Sequence, residues 1–520
     1  MCREGSVLRP HLRDVFIIPK ETDRLDVSRT VSILAVLYEK ARNAVEFRAD
    51  HLIRRAAIER ILKRRIMLNG GGANIAEQLI VELLWARYID SSLVDNEKSA
   101  TIQGIIDRYL ALKHHSGTSL GSHVTWDTLV GLASSEIEET IVSARKRIAL
   151  TNFFYQAIRP KVALEHTDAE YSNMLIYIAV ERAYAQSDDA LVTYHLLRVI
   201  YPDWFSATAQ TTAAHRERLF STVSLIAKSF RDPAGDRLFR YVRSHTPPYL
   251  LIRDFFMETG DIAREILGDQ SQLEQKLAEI AARRYQEIGN KVRRAVVRSF
   301  IYIFLTKMVF ALALEAPYDV YIAKKITYLP LAVNMLFPPA LLFLVAGLFS
   351  VPGTDNTKRL IDAVKTILFR FDSLKHQPNP FVGKQQVLRP LLTAIFSVFY
   401  LTTYAITFGL IHWGLKSLHF SLASEVIFVF FIALVSFFAY RIRLSAKEYE
   451  MVDRQGILEP LFDFFFLPIL RAGHILTREI AKINIFIFLF DFVLEAPLKV
   501  IFEVVEEWIR FVRIKKEEII

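Results

Sequence analysis

Lys307, Asn334 and Asp491 interrupt long apolar runs in this 520-residue sequence, where a charge or an amide has chemical consequences. Burying such a group in hydrocarbon costs several kcal/mol on most scales, so each should pair, reach water or serve a pathway. Lys307 lies near the middle of one run, and Asn334 sits beside Pro338 and Pro339 in the next. If the run holding Asp491 inserts into a bilayer, Lys307 and Asp491 are natural ionic partners, and proline-broken helices would free backbone carbonyls around them. That is the chemistry of an ion or solute pathway. The simpler reading, which the sequence favours, has Lys307 extending its amine towards the bilayer surface while the prolines only shape a helix bundle.

Two further stretches, "ALALEAPYDVYI" from Ala311 and "DFVLEAPLKVIF" from Asp491, place Leu-Glu-Ala-Pro directly after an apolar run. Glu315 and Glu495 would meet water there, and Pro317 and Pro497 would act as hinges at the membrane interface. The basic stretch "HLIRRAAIERILKRRI" offers Arg54, Arg55, Lys63, Arg64 and Arg65 as contacts for an anionic surface, with Ile53, Ala57, Ile61 and Leu62 inward. A solvated helix face is the plainer expectation. "NGGGAN" reads as a linker rather than a phosphate cradle, since no strand precedes it. His114, His115 and His123 match no zinc spacing and read as surface-loop residues. The sequence contains no GxxxxGK[ST], HExxH, GxSxG or kinase pattern. No catalytic residue, metal or cofactor is predicted, and the balance leans away from an enzyme.

Residues 25–290 carry apolar positions at three- and four-residue spacing, the pattern of helices with one buried face, as in "NIAEQLIVELLWARYI". Gly and Pro at "YPDW", "RDPAGD" and "SHTPPY" predict breaks between helices. From Ser271, with Glu274 completing a capping box, a long helix should run into the first of four membrane spans. These are placed near 295–314, 326–349, 391–411 and 420–440, the second kinked or broken by its prolines. After them, "GILEPLFDFFFLPIL" (457–470) is too short and interrupted to span, and reads as interfacial or re-entrant. Over 483–502 and the residue after it, Asp491, Glu495, Lys499 and Glu503 share one helical face, which predicts an interfacial amphipathic helix.

Charge sets the expected orientation. Of the formal +9, residues 1–290 contribute almost nothing (38 Lys and Arg against 37 Asp and Glu), while residues 291–520 carry 27 against 19. Lys and Arg cluster in "KVRRAVVR", in the linker holding Lys358, Arg359, Lys365, Arg370, Lys375, Lys384 and Arg389, and in "RIRLSAK". The remaining interspan linkers hold only Lys324, Lys325 and Lys416. This is the positive-inside distribution, not that of a nucleic-acid-binding domain. With the one cysteine, Cys2, no disulfide framework or cysteine zinc site forms within the chain, and no signal peptide is expected at its start.

The predicted class is all-α: a 1–24 extension, a cytoplasmic helical domain over 25–290 ending in a connecting stalk, a transmembrane bundle over 291–440, and amphipathic helices over 441–520. Two functions fit. One is a multi-pass scaffold of the cell membrane, with amino-terminal domain and carboxy terminus cytoplasmic, partnered by the lipid bilayer and a cytoplasmic protein, with no nucleic acid. The other is a small transporter or channel with a regulatory or oligomerising soluble domain, for which a homo-oligomer is compatible.

Overall fold

The computed structural model describes residues 49–69, 75–115, 124–164, 167–310, 317–318, 321, 328–347, 352–370, 381–383, 390–451 and 466–476. Its helical content bears out the all-α class. The chain divides into two compact units. The first runs to Tyr249 and regains the chain between Lys365 and Gln385; the second takes Leu250–Val364 and the described residues from 390 on. The division between Tyr249 and Leu250 falls inside a helix.

The first unit is built from α1 (Asp50–Asn69), α2 (Ile75–Trp85), α3 (Asn96–His115), α4 (Trp126–Ile141), α5 (Arg145–Ile158), α6 (Ala169–Val180), α7 (Asp189–Ile200), α8 (Thr212–Ser229) and the start of α9 (Pro233–Thr259). α4 is central: every residue from Leu129 to Glu138 is buried. A helix buried all round must enclose its own polar side chains, so Glu136 and Glu138 need partners inside the unit. Thr125 and Thr128 form a reciprocal cap at its start. At Gly131 an added Cβ would lie 3.2 Å from the Ala190 Cβ, so glycine lets α4 approach the start of α7. Arg108 on α3 is ion-paired with Glu136, and its guanidinium lies 5.2 Å from the Trp204 ring centroid.

Pro247 and Pro248 lie inside α9 and do not break it, contrary to the expectation from "SHTPPY". Tyr249, Leu250, Leu251, Ile252, Phe255 and Phe256, just beyond them, are all buried. That burial outweighs the roughly 3 kcal/mol an internal proline costs. The side chains of Ser244, His245 and Thr246 also bond back to the carbonyls of Tyr241 and Val242, holding the preceding turn. Among the described residues there is one parallel strand pair, β1 (Val162–Leu164) with β2 (Phe381–Gly383), registered Val162 on Phe381.

The second unit contains the rest of α9, α10 (Gln270–Phe310), α11 (Tyr328–Gly347), most of α12 (Thr354–Phe369), α13 (Pro390–Ser417), α14 (Leu422–Ala446) and α15 (466–476). α10 is the expected long helix, unbroken by Gly289. Its cap is Asp269, not Ser271: the Asp269 carboxylate accepts from the amides of Ser271 and Gln272. α11 is continuous through Pro338 and Pro339, so the expected break is absent.

Among the described residues, two helices are long and apolar enough to cross a membrane, over Ala394–Ser417 and Leu422–Ile442. They match the third and fourth expected spans. The first expected span extends past Phe310, beyond the described residues, and its described part holds Arg298 and Lys307. In α11 the apolar stretch is the shorter Ala332–Phe343. A four-span bundle is therefore not established by length and composition.

Candidate functional site

Lys307 and Asn334, predicted at bilayer depth, fall in the second unit, where α10, α11 and α14 share a core of Ala295, Val296, Ile303, Leu342, Phe431, Val435, Ala439 and Ile442. Contacts fix the helix directions. α11 and α14 run the same way, since Asn334 meets Ser424 and Phe337 meets Phe428. α10 runs opposite, since Phe300 meets Phe343 while Lys307, further along, meets Phe431.

Lys307 is fully buried, with Nζ 4.5 Å from the centroid of the Phe431 ring. The ring face carries partial negative charge, and a desolvated contact of this kind contributes about 2 kcal/mol. Asn334 is also fully buried, and its Nδ2 donates to the Ser424 carbonyl at 3.3 Å. Ser424 and Phe431 lie seven residues apart on α14, about 10 Å along its axis. Lys307 and Asn334 thus occupy one bundle without forming one site. Asp491, Glu315, Glu495 and Pro497 lie outside the described residues; Pro317 is half-buried in a short described segment. Phe431→Ala should remove both core volume and the ring under Lys307, lowering stability in detergent by about 3–5 kcal/mol, with Phe431→Leu recovering most of it. Thermal midpoints of the two variants check this.

α15 adds polar groups that sequence reasoning missed. The Arg471 guanidinium lies 5.3 Å from the Tyr400 ring centroid on α13 and hydrogen-bonds the Tyr400 hydroxyl, which in turn meets the Tyr404 hydroxyl at 2.8 Å. Two residues on, Gly473 rests against the middle of α14. An added Cβ there would lie 2.1 Å from the Ala433 carbonyl oxygen and 2.8 Å from the Phe437 Cβ. α15 therefore lies alongside the centre of the apolar helix.

Where α9, α10, α12 and the end of α14 meet, Asp254 is 2% exposed and accepts from Arg284 Nε at 2.8 Å, Arg253 Nε at 3.2 Å and the Tyr449 hydroxyl. Burial and the Asp254 charge push the Tyr449 phenol well up, so it stays protonated and donates. Asn356 Nδ2 donates to the Tyr449 carbonyl at 2.8 Å, and its Oδ1 accepts from the Met451 amide. Every group here has its partner, as in a structural clasp rather than a reaction centre. Tyr449→Phe should cost about 1–3 kcal/mol by leaving the buried carboxylate one donor short, measured as a lower thermal midpoint.

In the first unit the cations of α1 are partly exposed, apart from the buried Arg55, and each of the five meets a carboxylate. Arg54 pairs with Glu138 at 2.9 Å, Arg55 with Glu59 at 2.8 Å and Asp188 at 2.5 Å, and Lys63 with Glu59 and Asp127 at 2.8 Å. Arg64 and Arg65 both engage Glu82. Of these carboxylates, Glu82 and Glu138 are buried by helix packing and need the cations that meet them.

His195 on α7 lies between two carboxylates, with Nε2 2.7 Å from Glu139 and Nδ1 2.8 Å from Glu181. Burial alone would depress its pKa, but the two carboxylates raise it to about 9. Both ring nitrogens then donate, as in an imidazolium. Burial would raise Glu139 and Glu181, but contact with His195 holds both below the usual range. Glu181 also accepts from Ser187 and Tyr177, and Glu139 from Arg147. Among the described residues no group of three or more His, Cys, Asp or Glu is arranged to hold a metal.

Comparison with protein-family models, with curated proteins and with solved structures gives no match to this chain.

Proposed function

We propose that the chain is an integral membrane scaffold, a helical interaction domain carried on a four-helix membrane bundle. The observation that carries the membrane part is α13. An 18-residue window of its 24-residue apolar stretch is only 11% buried, with Phe396, Val398, Leu401, Leu410 and Trp413 each at least 61% exposed. The core helix of a water-soluble protein would be covered by its own chain; this one needs an external apolar solvent.

Four crossings are favoured over two by the course of the chain. It leaves the first unit, traverses α10 and α11 in opposite directions, and returns to pair β2 with β1 before α13 and α14 follow. A return to the same unit requires an even number of crossings between, and α11 exposes Leu336 and Phe337 as a lipid-facing helix would. The basic linkers then lie with the amino-terminal domain on the cytoplasmic side. In a background with Cys2 replaced by Ser, Tyr321→Cys and Ser417→Cys should react with an impermeant maleimide from one side and Gly353→Cys from the other. If Tyr321→Cys labels with Gly353→Cys, only two spans exist.

The scaffold assignment rests on charge pairing: within each of the Asp254, Glu139–His195–Glu181 and Arg108–Glu136 clusters the carboxylate is held by a cation of the same cluster, as in a structural ion pair. The transporter reading draws on Lys307, Asn334 and Arg471 beside the apolar helices. Solute or ion flux in liposomes that is lost in Phe431→Ala protein still folded would favour it over the scaffold.

A further inference from the structure

Where α10 enters its apolar segment, its exposed surface changes character within about one turn. Lys291, Arg294 and Arg298 are exposed and, at about 100° per residue, fall within an arc of about 60°. Arg293, also exposed, bonds only to Asn290. Among the described residues none of these four cations has a carboxylate within ion-pairing distance, unlike the matched cations of α1. Immediately above them the outward face is apolar: Val297, Ile301 and Met308 are 46%, 52% and 37% exposed. Tyr440 and Arg441, next to Ala439 and Ile442 in the shared core, add an exposed ring and an exposed cation at the corresponding end of α14.

We propose that Lys291, Arg294 and Arg298 form a binding surface for the phosphate headgroups of anionic phospholipids at this end of the bundle. This rests on the reading of α10 as entering a bilayer. Uncompensated guanidinium groups make charge-assisted, bidentate contacts with phosphate, and the apolar face directly above offers the acyl chains of the same lipid a surface. The stripe is fixed on a continuous helix, so its cations stay at one depth. Zwitterionic headgroups, which carry their own cation, gain much less. An anionic lipid is therefore selected from a mixed bilayer.

The test uses the full chain in vesicles of phosphatidylcholine and phosphatidylglycerol, with spin-labelled versions of each lipid and electron paramagnetic resonance of the motionally restricted fraction. Selectivity for phosphatidylglycerol should be at least about fivefold, the effect of one basic residue near an anionic surface. It should fall towards unity at about 1 M salt, where the Debye length shrinks to about 3 Å. The variant K291Q/R294Q/R298Q should lose it, R294K/R298K should keep most of it, and the control R145Q/K228Q/R231Q, with equal charge removed from the first unit, should match the parent chain. Restricted lipid without selectivity, or selectivity unchanged in K291Q/R294Q/R298Q, overturns the headgroup surface and leaves the membrane reading standing. Absence of any restricted lipid overturns both.

Discussion

His195→Ala should destabilise the first unit by about 3–5 kcal/mol or more, the range for removing one partner of a buried ion pair. The substitution leaves Glu139 and Glu181, each tied to the ring that is lost, buried near one another without the cation between them. Hydrogen exchange through α4, α6 and α7 should accelerate while α13 and α14 exchange as before. pH distinguishes this charge effect from a simple cavity. The folded pKa of His195, raised to about 9, exceeds the unfolded value of about 6.5, so its contribution is complete below pH 6.5 and is lost as pH rises through 9. The depressed carboxylates work in the opposite sense: their contribution is present above about pH 4.3 and is lost as pH falls through their lower folded values. The native protein should lose stability on the alkaline side between about pH 6.5 and 9, and His195→Gln should be flat there. An equal alkaline loss in His195→Gln would remove the imidazolium from the account.

Gly473→Leu should dislodge α15 from α14. A Cβ at 473 would overlap the Ala433 carbonyl, a backbone atom that cannot rotate aside, so the whole helix must move. Overpacking ordinarily costs about 1–3 kcal/mol, and a backbone overlap should exceed that range. Gly409 and Gly414 on α13 supply the control, because nothing lies within 4 Å of a Cβ built there. Gly409→Ala should be neutral or stabilising by up to about 1 kcal/mol through reduced backbone freedom. Exchange of the α15 amides separates the variants: rapid in Gly473→Leu, unchanged in Gly409→Ala.

These two sites differ in how far the sequence could reveal them. Helical periodicity foresaw the long α10 and the apolar α13 and α14, because each pattern is local. Lys307 and Asn334 were legible as polar interruptions of apolar runs, and both are fully buried. Arg471 and Gly473 were missed because they follow an apolar run rather than interrupting it, and only packing gives a glycine there its role. His195 gave no signal, since Glu139 and Glu181 are separated from it by a chain length that only folding closes. The same holds for the carboxylates that α2 and α4 bring to the cations of α1. Pro247 and Pro248 misled because local propensity lost to burial, and three-residue strands far apart in sequence carry too little pattern to be noticed.

Side-specific labelling tests whether α13 and α14 form the proposed membrane hairpin. With Cys2 replaced by Ser, Gly353→Cys, Ser417→Cys and Lys447→Cys are each placed at exposed positions beside these helices. An impermeant maleimide applied to sealed, oriented vesicles should reach Gly353→Cys and Lys447→Cys from one face and Ser417→Cys only from the other. Labelling of all three from the same face would contradict the account.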